Sequence, residues 1–259
     1  MDATRPSAPW LAGLTDASAQ TRRLVDELDE SDLDRPSLAG DWTIAQVLSH
    51  LGSGAEICAE LVRRGLAGDD RGPRREELVP IWDRWNALPP REQRARWRDA
   101  DLAHLDLLSG IDAGQEAELV VPYFAGPMDL ATYLGYRLSE HAVHGWDVAA
   151  AVDPAARLGQ VDLVWQRIDL IASRFHDVSA RAQLAPREVA LEHGGRGDLL
   201  TVGEEVHIRS ARAGTVPARL VGDTEVLARL VYGRLRDVDE LTVAGLITRE
   251  DLVGLFPGF

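Results

Sequence analysis

The sharpest constraint on this chain is a change of period near residue 186. Before it, apolar residues recur every three or four positions in long blocks, the pattern of helices that bury one face. After it come the short segments REVALEH, DLLTV, EVHIRS and VPARLVG, which alternate and are separated by Gly pairs or Gly-Glu turns, the pattern of antiparallel strands. The expected class is therefore α+β: an N-terminal up-down four-helix bundle over 1–155, a connecting helix within 156–185, and a small α+β domain with an antiparallel sheet over 186–259.

Within the first part, an amphipathic stretch runs from Leu11 to Leu28 and ends in an acidic segment before Pro36. Thr43 and Gln46 have the spacing of a capping box ahead of Val47, Leu48 and Leu51, which predicts a helix from about Thr43 to Leu66. Residues 68–73 are a loop by composition, and Leu78, Ile81, Trp82 and Trp85 have helical spacing. A third long helix is expected over 91–108, after Pro89-Pro90. The segment VVPYFAGPMDL, with two prolines and a glycine, is expected to be irregular and to lead into a fourth helix over about 129–152. A further apolar helix is expected over 159–175, then a helix over 224–235, a strand at LTVAG and a short helix over 249–255.

Charge and composition exclude several function classes. The net charge of -14 repels a phosphate backbone, and no basic block offsets it locally, so nucleic acid is not an expected partner. No apolar run reaches the roughly 18 residues that cross a bilayer, and the opening segment lacks a basic stretch followed by an apolar one, so the expected address is the cytoplasm. Every basic side chain is Arg, which excludes lysine chemistry. The single cysteine, Cys58, supplies neither an intrachain disulfide nor a multi-cysteine metal site, so any metal rests on His and carboxylate donors.

The strongest constellation of such donors lies in RLSEHAVHGWD. At about 100° per residue, Glu140 and His144 share one helix face, with Arg137 and Asp147 within about 60° of them. Both groups are first-shell donors for zinc, nickel or iron(II), although the same spacing also describes a solvated i,i+4 pair. His50 lies in the apolar arc of the second helix between Val47, Ile57 and Leu61; it reads either as a core histidine or as a third inward donor. Three protein ligands with an open position is the arrangement of a catalytic zinc site. Asp147 reads equally as a carboxylate orienting His144 and as a surface residue, and His141 is the competing ligand, turned about 100° from Glu140. No glycine-rich phosphate loop and no Gly-x-Ser-x-Gly elbow is present.

The segment DWTIAQVLSHL, with its Trp-Thr helix start and His50, is followed about 90 residues later by ExxxHxxD. These motifs, in this order and with a sheet-rich tail, resemble the mycothiol-dependent maleylpyruvate isomerase family within the DinB-like four-helix bundles. The resemblance covers the chain, the tail being similar to that family's sterol-carrier-like C-terminal domain. It implies a divalent metal, usually zinc, held by His50, Glu140 and His144, with nickel as an alternative. It also implies mycothiol, a cysteinyl pseudo-disaccharide, as thiol cofactor or co-substrate acting on a small electrophile. A metal with an open position lowers the pKa of an incoming thiol, and the thiolate then attacks an electrophilic carbon, in isomerisation or in S-transfer. Arg137 and, in the tail, Arg219 and Arg234 are candidate anchors for the substrate or thiol, since Arg binds carboxylates bidentately. Trp82, Trp85 and Tyr123 are candidate pocket walls, core packing being the alternative for at least one tryptophan.

Two other classes remain open at this level: a non-catalytic binder of a small molecule or thiol, and a metal-dependent hydrolase that activates water. The chain is expected to be a monomer or a homodimer.

Overall fold

The structure, a computed structural model, describes residues 5–211 and 216–258. It separates into two compact units, the first ending at Gln160 and the second beginning at Val161.

The first unit is built on four long helices: α1 (Ala8–Asp26), α2 (Ile44–Leu66), α4 (Pro90–Ser109) and α6 (Leu130–Val152), with α3 (Arg75–Asn86) packed on α2 and a short α5 (Ala113–Glu118) after α4. The most extensive packing joins α2 to α4 and α1 to α6, and α1–α4 and α2–α6 contacts close the ring, so α1 and α2 lie at one diagonal and α4 and α6 at the other. A 3₁₀ turn at Glu30–Asp34 precedes α2.

The start of α2 follows from its sequence. The Thr43 hydroxyl accepts from the Gln46 N–H while the Gln46 side chain accepts from the Thr43 N–H, two donors that the helix itself leaves without partners. Asp129 caps α6 by accepting from the Thr132 N–H at 2.7 Å. The buried faces of α2 and α4 meet around Leu48, Leu51, Trp85 and Trp97. Gly52 is required there, because a Cβ at that position would lie 2.3 Å from the Trp85 ring.

Between α5 and α6 the segment expected to be irregular forms a hairpin, β1 (Val121–Tyr123) with β2 (Gly126–Met128), antiparallel with Pro122 opposite Pro127. Prolines donate no ladder bonds, so so short a pair carries no alternating pattern. Gly65 of α2 lies against it, with the Val120 carbonyl 2.4 Å from where a Cβ would stand.

The second unit opens with α7 (Val161–Gln166), α8 (Ile168–Arg174) and α9 (Val178–Leu184). The one apolar helix expected over 159–175 is thus two short ones. A five-stranded sheet follows, in the order β5 (Val206–Ser210), β4 (Arg196–Val202), β3 (Arg187–His193), β6 (Ala218–Gly222), β7 (Leu241–Gly245). Three of the four strand pairings are antiparallel, as expected, but β6 lies beside β3 in parallel, which makes the sheet mixed. Helix α10 (Thr224–Val231) packs on α7 and α8, and α11 (Arg249–Leu255) on α9. No helix among the described residues is long and apolar enough to cross a membrane.

Candidate metal centre

Helices α2 and α6 touch along the bundle, and their facing sides bring His50, Glu140 and His144 together. One donor atom from each lies within 4.8 Å of the other two, and among the described residues this is the group of three donors able to hold a metal ion. His50 Nε2 is 3.1 Å from Glu140 Oε2, and His144 Nε2 is 3.9 Å from the same oxygen. The two imidazoles meet edge to face with centroids 4.7 Å apart.

The fourth residue fixes the third. His144 donates its Nδ1–H to Asp147 Oδ2 at 3.0 Å, and Asp147 is fully buried. That bond assigns the proton to Nδ1 and leaves the Nε2 lone pair facing Glu140 and His50. His141, the competing ligand, is committed elsewhere: its Nε2–H donates to Asp101 at 2.8 Å and its Nδ1–H to the Arg137 carbonyl at 2.9 Å.

The electrostatics suit a cation. Burial, with the charges of His144 and Arg137, holds the His50 pKa below its ordinary value against the hydrogen bond to Glu140 and that carboxylate's charge, which favours the neutral imidazole a metal needs. Burial would push the Glu140 carboxyl up, but the His50 hydrogen bond and the charges of His144, His50 and Arg137 outweigh it and keep the carboxylate ionised. Two imidazole nitrogens and one carboxylate oxygen converge here, a donor set that fits a zinc-type divalent ion once the hydrogen bond between His50 and Glu140 gives way to the metal.

Arg137 lies one turn before Glu140 and is buried, yet its Nε and Nη2 have no hydrogen-bond partner among the described residues. Its guanidinium rests against α2 at Gly54, where a Cβ would stand 3.4 Å from Nη2. Cys58 is buried, and burial pushes its thiol pKa up, which favours the neutral thiol.

On the outer side, the half-exposed Trp42 lies over both histidines, its ring centroid 5.1 Å from His50 and 6.2 Å from His144. The loop before α2 sets it there: Pro36 pairs with Thr43 as an isolated β-bridge, and the Trp42 carbonyl accepts from the Ser37 N–H and hydroxyl, both at 2.8 Å. Sequence reasoning missed Trp42 as a site residue. Its position just ahead of the Thr43 cap was the available signal. Beside His50 a cavity of about 410 Å³ is lined by Trp42, Gln46, His50, Ser53, Trp82 and Asn86.

The other expected residues are not among the three donors. Trp85 is core, its indole N–H donating to Glu56 at 2.9 Å, and Tyr123 packs against Tyr133 and Tyr136. Arg219 belongs to β6 of the second unit and pairs with Glu192 at 3.4 Å; Arg234 follows α10 and donates to the Tyr232 carbonyl at 3.0 Å.

Comparison with known proteins adds a family. Residues 14–149 match the mycothiol maleylpyruvate isomerase N-terminal domain. The chain superimposes on the crystal structure of the mycothiol-dependent maleylpyruvate isomerase with a TM-score of 0.69 at 17% identity, covering 94% of this chain and 95% of that one. A histidine-to-alanine mutant of the mycothiol-dependent maleylpyruvate isomerase gives 0.68 at 16% identity, with the same coverage. YfiT from Bacillus subtilis, a probable metal-dependent hydrolase with an unusual four-helix bundle topology, gives 0.45 at 18%, covering 56% of this chain and 85% of that one. No curated protein matches by sequence.

Proposed function

The chain belongs to the mycothiol maleylpyruvate isomerase N-terminal domain family, and from that premise we propose that it is a thiol-dependent isomerase holding one divalent metal through His50, Glu140 and His144. The main support is the convergence of those three donors within 4.8 Å, with the His144 tautomer fixed by Asp147. Zinc is the first choice and nickel the second, given a mixed nitrogen and oxygen donor set. A divalent ion there supplies a Lewis acid that lowers the pKa of a thiol, mycothiol by family, and makes it nucleophilic near neutral pH.

The residues around it have separate tasks. Asp147 orients His144 by its hydrogen bond. Arg137, buried with two uncommitted N–H groups, offers a fork to a carboxylate of the electrophile. Trp42 covers the outer face of both imidazoles and limits water there. Isomerisation then consists of sulfur addition to one carbon of a conjugated double bond, rotation about the resulting single bond, and loss of the same sulfur, so the thiol is regenerated. In S-transfer the sulfur would stay on carbon and a leaving group would depart. The reduced thiol pool this chemistry draws on fits a cytoplasmic enzyme.

Maleylpyruvate is the first electrophile to test, followed by NMR with and without mycothiol on metal-loaded protein. The expected result is cis-to-trans conversion that requires the thiol and leaves its concentration unchanged. Stoichiometric loss of thiol would make the protein an S-transferase. Turnover without any thiol, or none with maleylpyruvate and other conjugated acids, would overturn the proposal.

A further inference from the structure

The two edges of the five-stranded sheet are finished differently. At the β5 edge α8 lies against the strand, and Asp169 of that helix accepts the Ile208 N–H at 2.8 Å and the Nδ1–H of His207 at 3.0 Å. An edge N–H is thereby satisfied, and His207 and Arg209 stand along the strand itself. Covering and charging an edge in this way guards it against pairing with another chain.

The β7 edge has no such guard. It is the last strand of the sheet, with β6 as its ladder partner. The Leu246 N–H donates to the Pro217 carbonyl at 3.3 Å, so in the alternating antiparallel pattern Thr242 and Ala244 bond to β6, while Leu241 and Val243 turn their N–H and C=O groups away from it. Nothing among the described residues pairs with those outward groups. From Leu241 to Ile247 the sequence LTVAGLI holds no charge and no proline. Thr242, Ala244 and Gly245 are exposed, and Val238 and Leu246, 79% and 69% exposed, flank the strand.

The ends of β7 select what fits against it. Glu240, exposed and in no ion pair among the described residues, precedes the strand, and at the other end Arg187 donates to the Leu246 carbonyl. A parallel, in-register copy would set glutamate beside glutamate. An antiparallel copy centred on Val243 sets Leu241 opposite Gly245 of the other strand and brings each Glu240 to the Arg187 end, so the charges complement one another twice. That operation is a two-fold rotation, which closes after two copies.

We infer that β7 is the interface of a homodimer in which two copies of the sheet join edge to edge, antiparallel about Val243. The pairing involves neither the metal donors nor the thiol. A five-residue strand buries less than the roughly 1,200 Å² at which stable complexes begin, so the dimer is weak and forms as concentration rises. At physiological salt the Debye length is about 8 Å, which screens the net charge of -14 on each chain but not groups facing one another across the strands.

Sedimentation velocity of the full chain at that salt, over a hundredfold range of concentration, tests the pairing. Wild type should move from monomer toward dimer. The exposed Thr242 of each copy would lie on one diagonal of the same sheet face, within reach of long side chains. Thr242→Glu and Thr242→Arg, each folded by circular dichroism, should therefore weaken association at least tenfold through like charge, and an equimolar mixture of the two should regain at least the wild-type level of dimer. Wild type that stays monomeric throughout would overturn the inference, leaving the edge to another protein's strand or to none. Dimer of equal strength in both variants would overturn it by placing the contact on another face. Weakening in each variant without recovery in the mixture would overturn it as well, since self-pairing requires the opposite charges to attract.

Discussion

Asp147 Oδ2 accepts the Nδ1–H of His144 at 3.0 Å, one turn along the same helix, and so determines which nitrogen of that imidazole faces His50 and Glu140. Asp147→Asn preserves the shape but gives a weaker acceptor able to present an N–H instead. Metal affinity should fall about 10- to 100-fold, read by competition with a chromogenic chelator. Equal affinity in wild type and variant would show that the bond does not tune the ligand.

The proposed function gives Arg137 the task of reading substrate charge. Arg137→Met should leave metal content intact and lower kcat/KM for a carboxylate-bearing electrophile by about 10- to 100-fold, the loss of a charged, bidentate hydrogen bond. The drop should be much smaller for the corresponding methyl ester. Equal losses on acid and ester would assign Arg137 a structural role.

Asp101 joins α4 to α1 and α6, accepting from Ser18, from Arg22 at 2.5 Å and from His141 at 2.8 Å. Burial would raise its carboxyl, but the hydrogen bond and charge of His141, with Ser18 and Arg22, bring it to about 2. A group depressed in the folded state adds stability that is fully present above its unfolded pKa near 3.8 and lost as pH falls through about 2. The contribution is about 2 kcal/mol. Urea unfolding at pH 7 and at pH 2.5 should show most of that difference in wild type and less of it in Asp101→Asn. Parallel pH dependence in the two proteins would contradict the linkage.

Gly52→Ala puts a methyl group 2.3 Å from the Trp85 ring and 3.1 Å from the Trp97 backbone. Overpacking of this kind costs about 1–3 kcal/mol, measurable as a lower urea midpoint. Adding Trp85→Leu should make the glycine replacement cost less than it does alone; the same cost in both backgrounds would remove Trp85 as the cause.

These residues also show where sequence information ends. Helices α2 and α6 were legible because caps and apolar faces are local: Thr43 with Gln46 starts one, Asp129 starts the other, and the face carrying Glu140 and His144 follows from 100° per residue. That His50 turns toward them was legible as an apolar arc, but the 3.1 Å approach to Glu140 depends on α2 packing beside α6, which no local pattern contains. Trp42 belongs to a loop, and its place over the histidines comes from the bridge between Pro36 and Thr43. The β1–β2 hairpin turns at Phe124-Ala125 with Gly126 at φ 100°, without the Asn-Gly or Asp-Gly pair that marks tight hairpins. The parallel pairing of Val189 with Ala218 is likewise a tertiary choice, since strand composition does not name a neighbour.

Metal content is the most direct measure of the central claim. Protein purified with zinc available and dialysed against metal-free buffer should retain close to one zinc per chain by mass spectrometry, while His50→Ala and Glu140→Ala, folded by circular dichroism, should retain almost none. Wild-type protein without zinc or nickel, or variants that keep the full complement, would contradict the assignment of His50, Glu140 and His144 as the metal site.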